Sequence, residues 1–188
     1  MKLSLVIAAL RLRCPVFVDR VAGAAEFKPL PDVGKFSLPC AWVIPLDDNT
    51  GDNKSQTDYW QEVTDGFAVV VVFSNSTDER GQSSYDAVEE IRAQLWQALL
   101  GWEIDENYHP IQYDGGTLLE LNRHALYYQF EFSAKREISV EETRQWDDLQ
   151  ALEELASVGI DIDFIRHDTQ KPDGNIEHHI EINLSDSE

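Results

Sequence analysis

Phe67-Ala68-Val69-Val70-Val71-Val72-Phe73 (FAVVVVF) is an unbroken apolar run with β-branched residues at four consecutive positions. Such a run has no polar side to turn toward water, so it reads as a strand covered on both faces and takes the centre of a sheet. Just upstream, Tyr59 to Thr64 (YWQEVT) extends the strand as half of a long hairpin. Earlier still, Phe36 to Leu46 (FSLPCAWVIPL) is apolar and partly β-branched, but Pro39 and Pro45 lack the N–H that a ladder needs. It is therefore expected as an edge strand or as one bounded by its prolines. Residues 47–58 (DDNTGDNKSQTD) hold almost nothing to bury and are expected to form a long, mobile polar excursion between the two strands.

Working outward, Leu3, Val6, Ile7, Leu10 and Cys14 recur at three- and four-residue spacing, the pattern of a short amphipathic helix. A secretory signal fits this stretch less well, because the apolar segment is short and Arg11, Arg13, Asp19 and Arg20 fill what should be neutral. Val16 to Val21 is expected as a short strand, and Gly23 to Gly34 as a loop. After the central strand, Ser74 to Ser84 is a polar loop whose last serines are placed to cap a helix over Tyr85 to Leu100. That helix puts Val88, Ile91, Leu95, Ala98 and Leu99 on one face, and Gly101 stops it, with Trp102 folding back on the last turn. Leu118 to Leu121 and Leu126 to Phe132 read as strands, and Asp114-Gly115-Gly116-Thr117 as a turn. Helices alternating with mostly antiparallel strands make an α+β fold, a two-layer sandwich with its helices on one face of the sheet.

The chain has 188 residues and a net charge of −20. Its length fits one domain with an appendage. Glu137 marks a change: from there on fifteen acids meet three bases, Arg144, Arg166 and Lys171, which accounts for twelve of the twenty net charges. The expected division is a body over 1–136 and an acidic extension over 137–188. In the extension, Trp146, Leu149, Leu152 and Leu155 give one stripe of a helix over Val140 to Val158. Ile160 to Ile165 and Ile176 to Leu184 alternate apolar and polar residues as two strands of a hairpin around Lys171-Pro172-Asp173-Gly174-Asn175. A helix plus a hairpin is too small to stand alone and is expected to dock on the body or on a neighbouring subunit.

Strong negative charge disfavours non-specific DNA or RNA binding, since phosphates are repelled. No run reaches the roughly twenty apolar residues of a membrane span, and a soluble, reduced protein with no membrane partner is expected. Two cysteines, Cys14 and Cys40, make no disulfide framework and no zinc motif. His178 and His179 are adjacent on a predicted strand and point to opposite faces, while His109, His124 and His167 sit in loops or at element ends. There is no nucleophile elbow and no P-loop, and the paired acids read as solvated surface. No catalytic residue, metal or cofactor is expected, and a binding or structural protein is favoured over an enzyme.

The order and spacing of Phe36 to Leu46, the Asn-containing polar loop, Phe67 to Val71, Arg80-Gly81, Leu99-Leu100-Gly101-Trp102 and Tyr113 to Leu121 resemble the tail terminator proteins of long-tailed phages, in the branch found in Mu-like phages and prophages. The resemblance covers most of residues 1–133, and Ile162 to Ile165 with Pro172-Asp173-Gly174 is similar to an extension that some members carry. Cys40, where a small residue is commoner, and the acidity of the extension depart from the pattern. The resemblance implies a small α+β subunit that forms a six-fold ring at the head-proximal end of the tail, stops polymerisation of the tail tube and offers a surface to the neck or head-completion protein. DNA would pass through the ring without sequence-specific binding. The location implied is the virion tail and neck, with the host cytoplasm during assembly. On this reading Asp47, Asp48, Asn49, Arg80 and Gly81 are candidates for loops that contact tube or neck. Trp42, Trp60 and Trp102 are candidates for contacts between subunits. The charge of −20 leaves a rival in a DNA-mimicking inhibitor of a nucleic-acid-binding protein, and a second rival is an enzyme with an unrecognised site.

Overall fold

The computed structural model describes residues 1–24, 37–75, 82–153, 155–165 and 174–184, with the side chains of 82–85 excepted. The described chain runs α1 (Leu3–Arg13), β1 (Val21–Gly23), β2 (Cys40–Pro45), β3 (Asn49–Thr50), β4 (Gln61–Ser74), α2 (Gln82–Leu99), β5 (Gln112–Leu121), β6 (Ala125–Ile138), α3 (Arg144–Gln150), β7 (Ser157–Ile162) and β8 (His178–Asn183). It divides into two compact units, Met1–Glu142 and Thr143–Glu188.

In the first unit the sheet order is β1-β2-β4-β6-β5, with β3 paired to the outer half of β4. All neighbours are antiparallel except β1 with β2. β4 is the hub, as its composition requires: every residue from Phe67 to Phe73 is buried. Phe67, Val69, Val71 and Phe73 join α1 and α2 in the larger core, where Val6, Leu10, Val88, Ile91, Leu95 and Leu99 meet Phe130 and Phe132. Phe67 stacks on its cross-strand partner Phe132 with centroids 5.5 Å apart. On the other face Val72 packs with Cys40, Trp42, Ala125 and Tyr127. The architecture is α+β, with both long helices on one side of a mostly antiparallel sheet.

Several expectations change in detail. β2 is bounded by Pro39 and Pro45 but is not an edge, because β1 pairs with it in parallel through Val21↔Ala41 and Gly23↔Val43. The prolines sit at its ends, so the residues between them can serve neighbours on both sides. Val16 to Val21 is not one strand. Pro15–Phe17 forms a 3-10 turn that buries Phe17, Val18 and Asp19 take positive φ of 45° and 64°, and the strand starts only at Val21. The expected loop over Gly23 to Gly34 lies outside the described residues from residue 25 on. α2 begins at Gln82, so Ser83 and Ser84 fall inside its first turn and are not its cap; it ends as expected, with Gly101 at φ +77°.

Asp114-Gly115-Gly116-Thr117 is no turn. It lies inside β5, where the register with β6 slips between Tyr113 and Gly115, so the glycines mark a bulge. Gly116 is crowded: a Cβ there would come within 2.7 Å of the Tyr128 ring and 2.8 Å of the Tyr113 hydroxyl, and these side chains would have to shift to admit it.

In the second unit the helix is shorter than its stripe predicted. A 3-10 turn covers Val140–Glu142, within the first unit, and α3 ends at Gln150. Val158 belongs to β7, which pairs with β8 from Ser157↔Asn183 to Ile162↔His178. Of the expected turn between the hairpin strands, only Gly174 and Asn175 are among the described residues.

Candidate functional site

Among the described residues no group of three or more His, Cys, Asp or Glu is placed to hold a metal ion, and no described helix is long and apolar enough to cross a membrane. Cys14 and Cys40 are free and buried. Burial pushes both thiols up to about 11, with Arg20 pulling Cys40 slightly back, so neither is a thiolate at neutral pH. His178 and His179 point to opposite faces of the hairpin: His178 stands by the Phe164 ring and His179 by the Asp161 carboxylate.

The first surface is an arm. Beyond the core, β4 and β6 continue side by side from Thr64↔Lys135 to Gln61↔Ile138, and β3 adds a third strand through Asn49↔Thr64 and Thr50↔Val63. The loop at its tip is ordered by its own polar groups. Asn53 Oδ1 accepts from the backbone N–H of Ser55 at 3.1 Å and of Trp60 at 3.0 Å, while its Nδ2 donates to the Asp58 carbonyl at 3.2 Å. Lys54 N–H donates to the Trp60 carbonyl at 2.8 Å, and Gln61 Nε2 to the Gly51 carbonyl at 2.7 Å. The polar excursion read from the sequence is thus a hydrogen-bonded cap on the arm. It presents Trp60, 44% exposed, with Lys54 Nζ 4.9 Å from its ring. Glu62 sits between Lys54 and Lys135, each 3.4 Å away, and the Lys54 hydrogen bond leads in holding its carboxyl below the usual range.

Asp47 and Asn49 line an open cleft of about 560 Å³ with Asp114 and Glu131, beside the root of the arm. Asp48 lines a smaller pocket of about 300 Å³ together with Asp47 and Asp65. The chain passes so close here that a Cβ on Gly66 would meet the Asp47 carbonyl at 2.9 Å, which fixes glycine at that position. Behind Gly66, Asp65 Oδ2 accepts from the N-terminal ammonium at 2.7 Å and from the Tyr108 hydroxyl. Burial pushes the Asp65 carboxyl up, but the hydrogen bonds from the ammonium and Tyr108, helped by the ammonium and Arg136 charges, outweigh it and hold the group below its usual value. Burial first, then the Asp65 carboxylate, raises the Tyr108 hydroxyl.

A second surface lies between α1 and the end of α2. Leu5, Ala9, Leu12, Arg13, Leu100 and Trp102 line a groove of about 430 Å³. Trp102 packs half-buried on the core, and its backbone N–H donates to the Leu99 carbonyl at 3.2 Å in the turn that closes α2.

Of the three candidate tryptophans, Trp60 and Trp102 reach these surfaces. Trp42 does not: it is 3% exposed, packed by the chain's own β2, β4 and β6, and is withdrawn as a subunit contact because its side chain is already filled in. Arg80 and Gly81 lie outside the described residues. Sequence reading also missed Leu5 and Leu12, which stand off the predicted stripe of α1, and Leu118, Leu119 and Leu121, exposed on the edge strand β5. The signal for the first pair was present: α1 is apolar nearly all round and contains no acid, unlike a helix with one buried face.

A family model described as phage tail terminator protein matches residues 1–143, which is the first compact unit almost to the residue. No curated protein matches the chain. Among solved structures, it is similar to a chain of the virion of a native gene transfer agent particle, at 15% identity, with 73% of this chain and 95% of that chain covered and a TM-score of 0.44.

Proposed function

The chain belongs to the phage tail terminator family, and we propose that it forms a six-fold ring that caps the head-proximal end of a tail tube. Family membership makes it a structural phage tail protein; the finer assignment is our own. The ring stops addition of further tube subunits and offers its far side to the neck or head-completion protein. It works by contact, without catalysis or cofactor. DNA passes through the lumen without sequence-specific binding, and an acidic wall there would repel the phosphates and keep the polymer from sticking. The protein assembles in the host cytoplasm and stays in the virion, at the junction of tail and neck.

The observation that carries this reading is the family match over the whole first unit. The surfaces agree with it. A ring subunit meets its neighbours through unlike surfaces repeated around a closed circle, and the arm with Trp60 and the groove at Trp102 are two surfaces unlike each other. Asp47, Asp48 and Asn49 at the root of the arm, with Arg80 and Gly81, are assigned to the tube or neck side, and Trp60 and Trp102 to contacts between subunits. The test is polymerisation of the cognate tube protein with and without this chain, followed by electron microscopy. Tubes should become short and end in a ring on one side only. Tubes of unchanged length with bare ends would refute the assignment.

A further inference from the structure

We propose that the groove between α1 and the end of α2 receives the apolar face of the β7–β8 hairpin from a second copy of this chain. The inference rests on the ring-forming reading above and names surfaces through which copies meet.

The groove is mostly apolar, with one cation, Arg13, in its lining. Arg13 is the only charged residue among the described residues that line it, and α1 has no acid, on a chain whose net charge is −20. Leu12 is 82% exposed at its edge. An apolar side chain left in water beside Leu5, Leu100 and Trp102 is surface waiting for a partner, and burying it is favourable in proportion to area.

The hairpin has the opposite character. Its register sets Val158 against Ile182 and Ile160 against Ile180, all on one face, with Gly159 against Glu181 and Asp161 against His179 on the other. The four apolar side chains are exposed, and their unit, Thr143–Glu188, carries twelve acids against three bases. An acidic element with an apolar face therefore complements an apolar groove whose lining charge, Arg13, is positive, in both charge and polarity. The occupant is a second copy because this chain carries both halves, and a contact between unlike surfaces repeats from copy to copy until it closes a ring.

Sedimentation velocity on the full chain over a range of concentrations tests this. Wild type should self-associate. Leu12→Glu in the groove and the double change Ile160→Thr with Ile182→Thr in the hairpin should each weaken association about tenfold or more. Arg13→Glu, which reverses the groove's charge without touching the core, should do the same, and far-UV circular dichroism establishes that each variant is folded. An equimolar mixture of Leu12→Glu with the double hairpin variant pairs one intact hairpin with one intact groove. It should form species of two copies and nothing larger. A wild type that stays monomeric up to its solubility limit, variants that associate as wild type does, or a mixture that restores no pairing would each overturn the proposal. The last is what docking within a single chain would produce. A chain that halts tube growth but never self-associates in this way overturns the contact and leaves the terminator reading standing; one that self-associates as described and leaves tubes unbounded does the reverse.

Discussion

Asp65 ties three parts of the chain together at one carboxylate: it sits on β4, accepts from the N-terminal ammonium ahead of α1, and accepts from Tyr108 in the segment between α2 and β5. Its folded-state pKa is lowered, so the sign of its pH effect follows. The stabilisation is fully present above the unfolded carboxyl value, about 3.9, and is lost as pH falls through the lower folded value. Asp65→Asn removes the charge while keeping the shape, and at neutral pH it should cost about 1–2 kcal/mol, the range for a partly buried charged hydrogen bond. Urea unfolding midpoints for both proteins from neutral pH down to below pH ~4 check this. The gap between wild type and Asp65→Asn should narrow in the acid range, and a gap that stays constant there would assign the stability to something other than the charge.

At the scale of elements, what the sequence made legible follows burial. The run from Phe67 to Phe73 announced a strand with two covered faces, and the spacing of Val88, Ile91, Leu95, Ala98 and Leu99 announced the buried face of α2, because in both cases the pattern itself pays the entropy of ordering. Where order comes from other sources the sequence reading failed. Asp114-Gly115-Gly116 looks like a turn, and only the crossing of Tyr113 and Tyr128 over Gly116 shows why glycine sits mid-strand. The stripe of Trp146, Leu149, Leu152 and Leu155 promised a long helix, but these side chains stay exposed and α3 spans one short segment, as expected when an amphipathic helix lacks packing. The tip of the arm is the clearest case, since a stretch with nothing to bury is ordered by Asn53. Asn53→Ala should therefore leave global stability within about 1 kcal/mol, as surface changes do away from packed features, yet release the loop. Limited trypsinolysis reads this at Lys54: cleavage should be faster in the variant with an unchanged thermal midpoint, and equal rates would mean that the strands, and not Asn53, hold the loop.

At the scale of the whole molecule, the two units differ in what holds them. Every buried residue of the described chain lies in Met1–Glu142, and both core clusters are complete within that span. In Thr143–Glu188 no described residue is buried, twelve acids oppose three bases, and the sheet among the described residues has two strands. Conformational entropy of about 1–2 kcal/mol per residue then has little apolar burial among the described residues to offset it, and like charges add repulsion. The predicted consequence is asymmetric. A chain of residues 1–142 should fold cooperatively, with a single thermal transition and native near-UV ellipticity. A peptide of residues 143–188 should show the circular dichroism of a disordered chain at low ionic strength, gaining hairpin signal only when a surface is supplied to cover Val158, Ile160, Ile180 and Ile182. Independent folding of that peptide as a monomer would show that its exposed apolar face is not what keeps it unstable, and would remove the physical reason for giving it a docking role.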